Sequence, residues 1–359
     1  MKVLLTGGTG YLGEYLLAEL LKRDHTVWAL YRTDLSRLKT VRFLSGLGLP
    51  SSAGRLKWIR GDVLEIDEHW DRWCSDNPGL QHVDSVLQNA GSTQLQMDKH
   101  GEPMRTNVGG AKAIKRLIEH NPLNVHLIST AYVCGRAEGQ HILEESHPAG
   151  DFVSVFEESK WEAEKLLLGA ATILRPSIVV GDSKTGRSTR FQGWYVPLQG
   201  AYFLSNLLQN TEVGDRFNLG MTLPGDANGR TNIVPVDYVA KAAIRIIEKP
   251  EHHKQIFHLT HPEPPTNQWT LDLVQRRFDL GGMRFAGKGA PVARPRDQMD
   301  CSVGIQMQSV LFYFPNDPSF DRTNTDRAVG ELEVPRITEA LVNRLIDCAI
   351  GANWGQPLE

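Results

Sequence analysis

The chain has 359 residues, of which 41% are hydrophobic and 23% are charged, and its formal net charge is −3. This length can bury a large core, in one large domain or two closely joined ones, and the basic residues are not clustered, so the sequence predicts neither a nucleic-acid partner nor an anionic membrane surface. No apolar run reaches the roughly 18 residues of a membrane span, and the first predicted strand begins at once without a signal peptide, so we expect a cytoplasmic protein.

The cysteine and histidine positions give no sign of a metal site. Cys74, Cys134, Cys301 and Cys348 are scattered along the chain, and the histidines lack ligand spacing. We therefore predict reduced thiols and no metal.

The first predicted elements are a buried parallel strand, a glycine-rich turn and a helix. Lys2 to Thr6 is short and apolar, and apolar residues recur with helical spacing between Glu14 and Arg23. The glycines at 7, 10 and 13 allow a tight turn, a close approach to a pyrophosphate and close helix packing, and the helix N-terminus offers N–H groups to the anion. A glycine-rich turn alone is a weak signal, but a dinucleotide site demands these flanks. We predict cofactor contacts at Thr6, Gly7, Thr9, Gly10, Tyr11, Leu12 and Gly13.

The second predicted strand indicates which dinucleotide binds. It runs from Thr26 to Tyr31 and ends at Arg32, where an NAD site usually offers an acidic residue to the ribose hydroxyls. An arginine there favours a 2′-phosphate, so we predict NADP(H), with Arg37 as a possible second cation or a solvated charge. The next strand ends at Asp62-Val63, which either meets the adenine or forms an ordinary turn.

Strands and helices alternate through about residue 181, which predicts a doubly wound parallel sheet. The strand 83–87 leads into Asn89, Ala90 and Gly91, a small-residue turn that can pass close to the cofactor. Two further strands are predicted at 125–130 and 171–176. Ligands of such sheets collect at the carboxyl ends of strands, where Thr130 and Pro176 fall.

Beyond Gly181 the pattern predicts a second unit. We expect an α/β Rossmann-type fold in which 1–181, completed by about 233–260, bind the dinucleotide, and in which 182–232 and 261–359 form a smaller, discontinuous C-terminal substrate lobe. Residues 182–192 are polar and predicted to be mobile, and 281–304 is a long Gly/Pro loop. In the aromatic segment 193–207, Trp194, Tyr195 and Tyr202 either line a substrate channel or pack the lobe.

The segment from Ser154 to Glu164 predicts a helix with an incomplete catalytic pair. Phe156 and Lys160 lie four residues apart and share one face, where a Tyr followed by a Lys would form a proton-donating pair. Ser154 and Glu157 have the spacing of a capping box, which accounts for Glu157 as a helix-start residue.

These motifs together resemble the extended short-chain dehydrogenases/reductases, and within them the thioester-reductase and fatty-acyl-CoA-reductase branch. The resemblance spans nearly the whole chain and is carried by the runs TGGTGYLG (6–13), STAYVCG (129–135), SKWEAE (159–164), LRPSIVVGDSKTG (174–186) and VPVDYV (234–239). It implies that Thr130 is the active-site Ser/Thr, that Lys160 is the active-site Lys and holds the nicotinamide ribose, and that Asn107 is the helix asparagine. Phe156 occupies the Tyr position. The resemblance also places Arg175, Pro176 and Ser177 near the nicotinamide.

The missing hydroxyl has a chemical consequence. A Tyr donates a proton to the carbonyl oxygen that hydride delivery makes negative, and a neighbouring Lys ammonium lowers its reference pKa of about 10. Losing a general acid costs about 10²- to 10⁴-fold in rate. Phe156 is therefore either a deliberate Tyr→Phe change or the natural residue of an enzyme with another proton donor. The remaining hydroxyl candidates are Tyr132, which could also contact substrate, Tyr195 and Tyr202.

The sequence as a whole predicts an NADPH-dependent reductase of a carbonyl group in a hydrophobic substrate, either a free or carrier-bound acyl thioester or an aldehyde or bulky ketone. As written, the chain should bind cofactor and substrate but reduce poorly. The alternatives are an epimerase or dehydratase that uses the nicotinamide transiently, and a non-catalytic NADP-binding module. The oligomeric state is left open.

Overall fold

A parallel sheet of seven strands forms the centre of the protein. We describe it from a computed structural model, which covers residues 1–49, 54–137, 139–209, 217–218, 222–223, 225–287 and 317–356. Its strands are β1 (Lys2–Thr6), β2 (Thr26–Tyr31), β3 (Leu56–Arg60), β4 (Ser85–Gln88), β5 (Asn124–Ile128), β7 (Ala171–Pro176) and β12 (Ile256–Leu259). They lie in the order β12-β7-β5-β4-β1-β2-β3, and every pairing among them is parallel.

Further short strands form two-stranded sheets outside this central sheet. They are β6 (His141–Ile142) with β15 (Ser319–Phe320), β8 (Ile178–Val180) with β11 (Ile233–Pro235), β9 (Phe217–Asn218) with β13 (Leu280–Gly281), and β10 (Thr222–Leu223) with β14 (Arg284–Phe285). The β8–β11 pair is parallel and joins the end of the predicted first unit to a later segment.

Helices cover both faces of the central sheet. They are α1 (Tyr11–Lys22), α2 (Asp34–Gly46), α3 (Trp70–Asp76), α4 (Met104–His120), α5 (Val155–Leu167), α6 (Tyr195–Gln209), α7 (Val236–Ile247), α8 (Asn267–Arg277), α9 (Thr323–Val329) and α10 (Glu339–Gly351). One core cluster lies between the sheet and α1, α2, α7 and α9, and a second lies between the sheet and α3, α4 and α5. Within the described residues, no helix is long and apolar enough to cross a membrane.

The predicted doubly wound parallel sheet is confirmed. Strands β1, β2 and β7 have the bounds that their apolar runs predicted, whereas α1 begins at Tyr11, three residues before the predicted start, because the glycine turn leads directly into helical backbone. Strand β12 returns to the sheet beside β7, with Phe257 opposite Leu174. The turn from β1 into α1 therefore lies at the carboxyl edge, where the dinucleotide is expected.

A third apolar core holds together the segments outside the central sheet. It contains residues of α6, α8 and α10, including Trp194, Leu273 and Leu345. We call the segments around this core the lobe. The division into 1–181 (completed by 233–260), 182–232 and 261–359 stays a prediction, and residues 288–304 of the predicted Gly/Pro loop lie outside the described residues.

The polar segment 182–192, predicted to be mobile, is instead tied down in the structure. The Ser183 backbone N–H and hydroxyl both donate to the Asp237 carboxylate at 2.9 Å. Arg187 pairs with Glu14 of α1 at 2.8 Å, and the Tyr11 hydroxyl donates to the Val180 carbonyl at 2.9 Å. Composition alone misled the prediction because each of these partners is distant in sequence.

Candidate active site

The glycine-rich turn between β1 and α1 has the tight geometry that a dinucleotide requires. Gly7 has a φ of +64°, and a Cβ there would lie 2.6 Å from the Ala90 backbone nitrogen. A Cβ on Gly13 would lie 2.0 Å from the Gly7 carbonyl oxygen. No side chain fits at either position, because both distances are far below van der Waals contact. The first turn of α1 thus packs directly on the loop, and its N–H groups face the carboxyl edge of the sheet.

Thr6 connects this turn to the one after β4. Its hydroxyl donates to Gln88 Oε1 at 2.7 Å and accepts from the backbone N–H groups of Asn89 at 3.2 Å and Ala90 at 3.0 Å. The Asn89 amide in turn donates to the Gly7 carbonyl at 2.9 Å. The structure therefore brings together the predicted cofactor residues Thr6, Gly7, Asn89 and Ala90, and fixes the spacing of the two turns.

The residues predicted to favour NADP(H) over NAD(H) lie together beyond the end of β2. Arg32 is 74% exposed, with Nη1 3.8 Å from the Asp62 carboxylate, and Arg37 lies over the Tyr31 ring at 5.3 Å. Asp62 also accepts from the Leu64 N–H at 3.1 Å and so caps a short helical turn, which supports its alternative reading as a turn residue. The Val63 side chain is buried in the second core cluster, so only its backbone can meet a cofactor.

We call the region between the glycine-rich turn and Lys160 the cofactor cleft. Lys160 is a buried cation at its far end. Its Nζ donates to the Ile128 carbonyl at 2.9 Å, and its residue is only 7% exposed. Burial lowers the pKa of Lys160 to about 8, and the charge of Glu164, one helical turn further on, partly opposes this shift. The ammonium is thus held rigidly and titrates close to neutral pH.

Gly91 and Asn107 complete the surroundings of Lys160. A Cβ placed on Gly91 would lie 3.1 Å from Lys160 Nζ and 2.8 Å from Asn107 Oδ1, so only a glycine leaves both groups in place. Asn107 accepts from the Ser92 N–H at 2.9 Å and donates to the Ser159 hydroxyl at 2.8 Å. The predicted trio of Gly91, Asn107 and Lys160 is therefore one cluster at the carboxyl edge.

Phe156 lies in the first turn of α5, one turn before Lys160, as the helix register predicted. Its ring is half-buried, and its carbonyl accepts from the Ser159 hydroxyl at 2.7 Å. The helix start follows the predicted cap: the Ser154 hydroxyl accepts from the Glu157 N–H at 3.3 Å. The Glu157 carboxylate reaches back to the Val153 N–H at 2.8 Å, one residue before the position expected for a capping box.

Thr130 follows β5 and is buried beside the end of β7. Its hydroxyl lies 3.5 Å from the Pro176 carbonyl and accepts from the Tyr132 N–H at 3.4 Å. Both contacts are long, so the hydroxyl is weakly committed. The next residue after Pro176, Ser177, is also buried, and its hydroxyl has no partner among the described residues. Neither hydroxyl is therefore held by a short hydrogen bond within the described residues.

Tyr132, the first alternative proton donor, points toward the lobe. Its hydroxyl donates to the Asp317 carboxylate at 3.0 Å and lies 3.5 Å from the Asn232 carbonyl. Burial raises the pKa of Asp317 to about 7, although the bonds from the Asn232 N–H and Tyr132 oppose the rise. The Tyr132 proton thus already has an acceptor within the protein, which disfavours Tyr132 as the donor to a substrate.

The guanidinium of Arg175 is placed away from the cleft. Arg175 is fully buried, and it binds Glu164 through two bonds, at 2.9 and 2.6 Å. It also donates to the Glu145 carbonyl at 2.9 Å. The side chain therefore holds α5 against the sheet, and the predicted contact of Arg175 with the cofactor stays a prediction that its backbone would have to fulfil.

The aromatic segment packs the lobe. Trp194 and Tyr195 are each 1% exposed, their rings contact each other at 5.5 Å, and the Tyr195 hydroxyl accepts from the Gly181 N–H at 2.9 Å. The partly buried Tyr202 contacts Phe278 at 6.0 Å and Trp354 at 5.9 Å. The packing alternative thus accounts for the burial of Trp194 and Tyr195, whereas Tyr202 is partly exposed.

Sequence reasoning missed several residues that shape this site. Asp317, which holds Tyr132, stands in no motif, and Ser92, which holds Asn107, follows a predicted cofactor turn without a signal of its own. Glu164 was part of a motif, but its partner Arg175 was assigned to the cofactor. All three act through contacts between distant segments, which a single sequence does not reveal.

The cleft between the glycine turn and Lys160 fits a dinucleotide. At Gly7, Gly13 and Gly91 a Cβ would collide with protein atoms, so these glycines let the turns and the Lys160 ammonium lie close together, and the buried Ser177 hydroxyl has no partner among the described residues. Exposed cations lie at one end and a buried cation at the other. This arrangement can hold a diphosphate on the helix N-terminus and present a second ring beside Lys160.

Comparison with known proteins points to the same chemistry. Residues 5–243 match the NAD-binding family model described as male sterility protein. The nonribosomal peptide synthetase asaC of Aspergillus flavus is 25% identical over 79% of this chain and 29% of its own length. The L-2-aminoadipate reductase of Schizosaccharomyces pombe is 25% identical over 90% of this chain and 24% of its own length. The chain thus spans less than a third of these curated relatives.

A solved structure supports the fold over the whole length. The terminal R domain from the myxalamid PKS-NRPS biosynthetic pathway is similar with a TM-score of 0.76 and 23% identity, covering 100% of this chain and 92% of that one. At this identity the likeness establishes the fold alone. Fold, family match and the reductase among the relatives agree with the cofactor cleft described above.

Proposed function

The chain belongs to the male sterility protein family, in the thioester-reductase-like branch of the extended short-chain dehydrogenases/reductases, and we infer from this that it is an NAD(P)-dependent oxidoreductase. From this premise we propose that it is an NADPH-dependent reductase of a carbonyl group in a hydrophobic substrate, with an acyl thioester preferred over an aldehyde or bulky ketone. One observation carries the proposal: a buried Lys160 ammonium, bound to the Ile128 carbonyl and adjoining Gly91, lies at the end of a cleft that begins with a dinucleotide turn.

The preference for NADPH rests on two cations. Arg32 is exposed beside Asp62, and Arg37 lies against Tyr31, so both stand where a ribose 2′-phosphate is expected. A guanidinium binds a phosphate through two parallel hydrogen bonds, which an unphosphorylated ribose cannot match. NADPH, when bound, would supply the hydride.

Three side chains would act on the substrate and the cofactor ribose. The Thr130 hydroxyl, with only long contacts in the protein, can donate to the substrate oxygen as charge develops on it. Lys160 can hold ribose hydroxyls with the donors that Ile128 leaves free, and Asn107 keeps Gly91 and Ser159 in register with it. Phe156 offers no proton, so the unchanged chain should bind both ligands and reduce slowly.

The choice of a thioester draws on the relatives. One relative is named a nonribosomal peptide synthetase, and another is named an L-2-aminoadipate reductase. The similar R domain comes from the myxalamid PKS-NRPS biosynthetic pathway. If this chain acts on a carrier-bound thioester, the carrier would contact the rim formed by the lobe and the carboxyl edge of the sheet. Tyr202, with its partly exposed ring, would be the first aromatic side chain there.

Phe156 itself favours a second candidate, a non-catalytic NADP-binding module. In that case the cleft would bind NADPH, and Lys160 would contribute to the reduction of no substrate.

A turnover experiment separates the two candidates. We expect purified protein with NADPH and a panel of acyl thioesters, aldehydes and ketones to form the reduced product slowly, as detected by mass spectrometry, and Lys160→Ala to form it more slowly still. Cofactor binding without any product, in both the unchanged chain and Phe156→Tyr, would instead establish the binding module.

A further inference from the structure

A short segment joins the two ends of the cofactor cleft. Residues 187–192, here called the crossing segment, begin beside the glycine turn, where the Tyr11 hydroxyl lies 3.3 Å from the Arg187 carbonyl. They end beside the turn after β4, where the Thr93 hydroxyl lies 3.5 Å from Gln192 Oε1. The crossing segment therefore spans from the diphosphate end toward the Lys160 end.

The far end of the crossing segment is close to the reaction site. Gly91 adjoins Lys160, and Thr93 follows two residues later, so the Thr93 Cα lies at most about 7 Å from that of Gly91. Arg190 Nη1 lies 3.5 Å from the Thr93 hydroxyl. The Arg190 guanidinium therefore lies next to Thr93, beside the turn after β4.

Arg190 has a fixed backbone and an uncommitted charge. Its N–H donates to the buried Ser188 hydroxyl at 3.1 Å, and that hydroxyl donates to its carbonyl at 2.7 Å. The neighbouring Phe191 is anchored in the lobe core. The guanidinium itself is exposed, its contact with Thr93 is long, and no carboxylate among the described residues pairs with it.

Arg187, three residues earlier, is an arginine whose charge is used within the protein. It pairs with Glu14 at 2.8 Å and lies over the Phe43 ring at 4.0 Å, so its charge is neutralised and packed. Among the described residues, Arg190 has neither kind of contact. An exposed guanidinium with free donors on a fixed backbone is suited to bidentate binding of an anion.

We propose that Arg190 binds a phosphate group lying across the cofactor cleft. Two molecules could present this chemistry: the dinucleotide, through its diphosphate, and an acyl substrate on a phosphopantetheine arm, through the phosphate of that arm. The inference rests on the proposed function for the second source and on the family's dinucleotide for the first. In either case Arg190 is a recognition residue contributed by the lobe side of the cleft.

A binding experiment tests the assignment without requiring turnover. Calorimetry would measure NADPH with the free protein, and then phosphopantetheine and pantetheine with the NADP-saturated protein. These last two ligands differ only in the phosphate. Arg190→Ala removes the cation, and Arg190→Lys keeps its charge but not its two-pronged geometry. Lys184→Ala is the matched control, since Lys184 is an exposed cation of the same loop, next to Ser183, which is bound to Asp237 and Arg344.

The outcomes distinguish the two sources. A charge-assisted contact predicts that Arg190→Ala weakens binding about 10- to 100-fold and Arg190→Lys less. The loss falls on NADPH if the diphosphate is the ligand, and on phosphopantetheine but not pantetheine if the substrate arm is. Equal dissociation constants for Arg190→Ala and Lys184→Ala with every ligand would overturn the proposal, as would equal weakening of pantetheine and phosphopantetheine with NADPH unaffected. Failure of the reductase assignment would appear separately, as absent product with these binding constants intact.

Discussion

The cofactor half, built on the central sheet, and the lobe place their distinctive side chains in different ways. In the cofactor half, Thr6, Asn107 and Lys160 bond to backbone atoms of neighbouring segments, so each polar group has one fixed position. In the lobe, Trp194 and Tyr202 contact other aromatic rings. A substitution in the first region should therefore act mainly on cofactor binding and chemistry, and one in the second mainly on stability.

The largest expected effect is a gain of activity at Phe156. Phe156→Tyr should raise turnover about 10²- to 10⁴-fold, because it places a general acid one turn before Lys160 while leaving the cofactor contacts unchanged. This gain in turnover is measured by steady-state NADPH oxidation with a carbonyl substrate of the class that the protein is found to reduce. Phe152→Tyr, which adds a hydroxyl to a nearby ring packed on Trp161, should give no gain. If the unchanged chain is already as fast as Phe156→Tyr, another group donates the proton.

The lobe prediction concerns Trp194. Trp194→Ala should lower the free energy of unfolding by about 3 to 5 kcal/mol, because it empties a fully buried site. Denaturant unfolding measures this loss. Trp194→Phe should cost much less, since it keeps a ring and removes an indole N–H that has no partner among the described residues. Weakened substrate binding with unchanged stability would return Trp194 to the substrate channel.

Cofactor selection should depend on the exposed end of the cleft. Arg32→Ala should weaken NADPH binding about 10-fold or more and leave NADH nearly unaffected, since only NADPH carries the 2′-phosphate. Fluorescence titration of both cofactors checks this, with Arg72→Ala, an exposed arginine of α3 paired with Asp76, as control. Equal affinities for NADPH and NADH in the unchanged chain would contradict the assignment.

The buried end of the cleft predicts a smaller, pH-dependent effect. The pKa of Lys160 falls from 10.5 to about 8 on folding, so between these values the unfolded chain binds more protons and stability rises with pH. Relative to Lys160→Met, the protein should gain about 2 kcal/mol between pH 8 and 9.5, at 1.36 kcal/mol per pKa unit. Urea unfolding of both proteins at several pH values gives the difference. A difference independent of pH would show that the ammonium is not desolvated.

How much the sequence could reveal follows the same regional contrast. Gly7 and Gly13 were predictable because a tight turn tolerates no side chain, and Phe156 and Lys160 because helix periodicity alone puts them on one face. The fully buried ion pair of Arg175 with Glu164 was not predictable, because it depends on tertiary packing. The same holds for Asp317, whose partner Tyr132 lies 185 positions away.

The lobe offered weaker signals. An aromatic run is compatible with either a channel or a core, and only the packing of Trp194 on Tyr195 and of Tyr202 on Trp354 distinguishes them. The anchoring of 182–192 by Asp237 and Glu14 was likewise invisible, since polar loops with and without such partners have the same composition.

The most direct test of the central claim, a reductase site that lacks only its acid, is a double-mutant cycle between Phe156→Tyr and Lys160→Ala. Single-turnover reduction by bound NADPH is measured for the four proteins, each at saturating cofactor. Lys160→Ala should remove most of the gain in the Phe156→Tyr background, about tenfold or more beyond its effect in the unchanged chain, because the ammonium lowers the pKa of the introduced hydroxyl. The same factor in both backgrounds would show that positions 156 and 160 do not act together, and would contradict the mechanism.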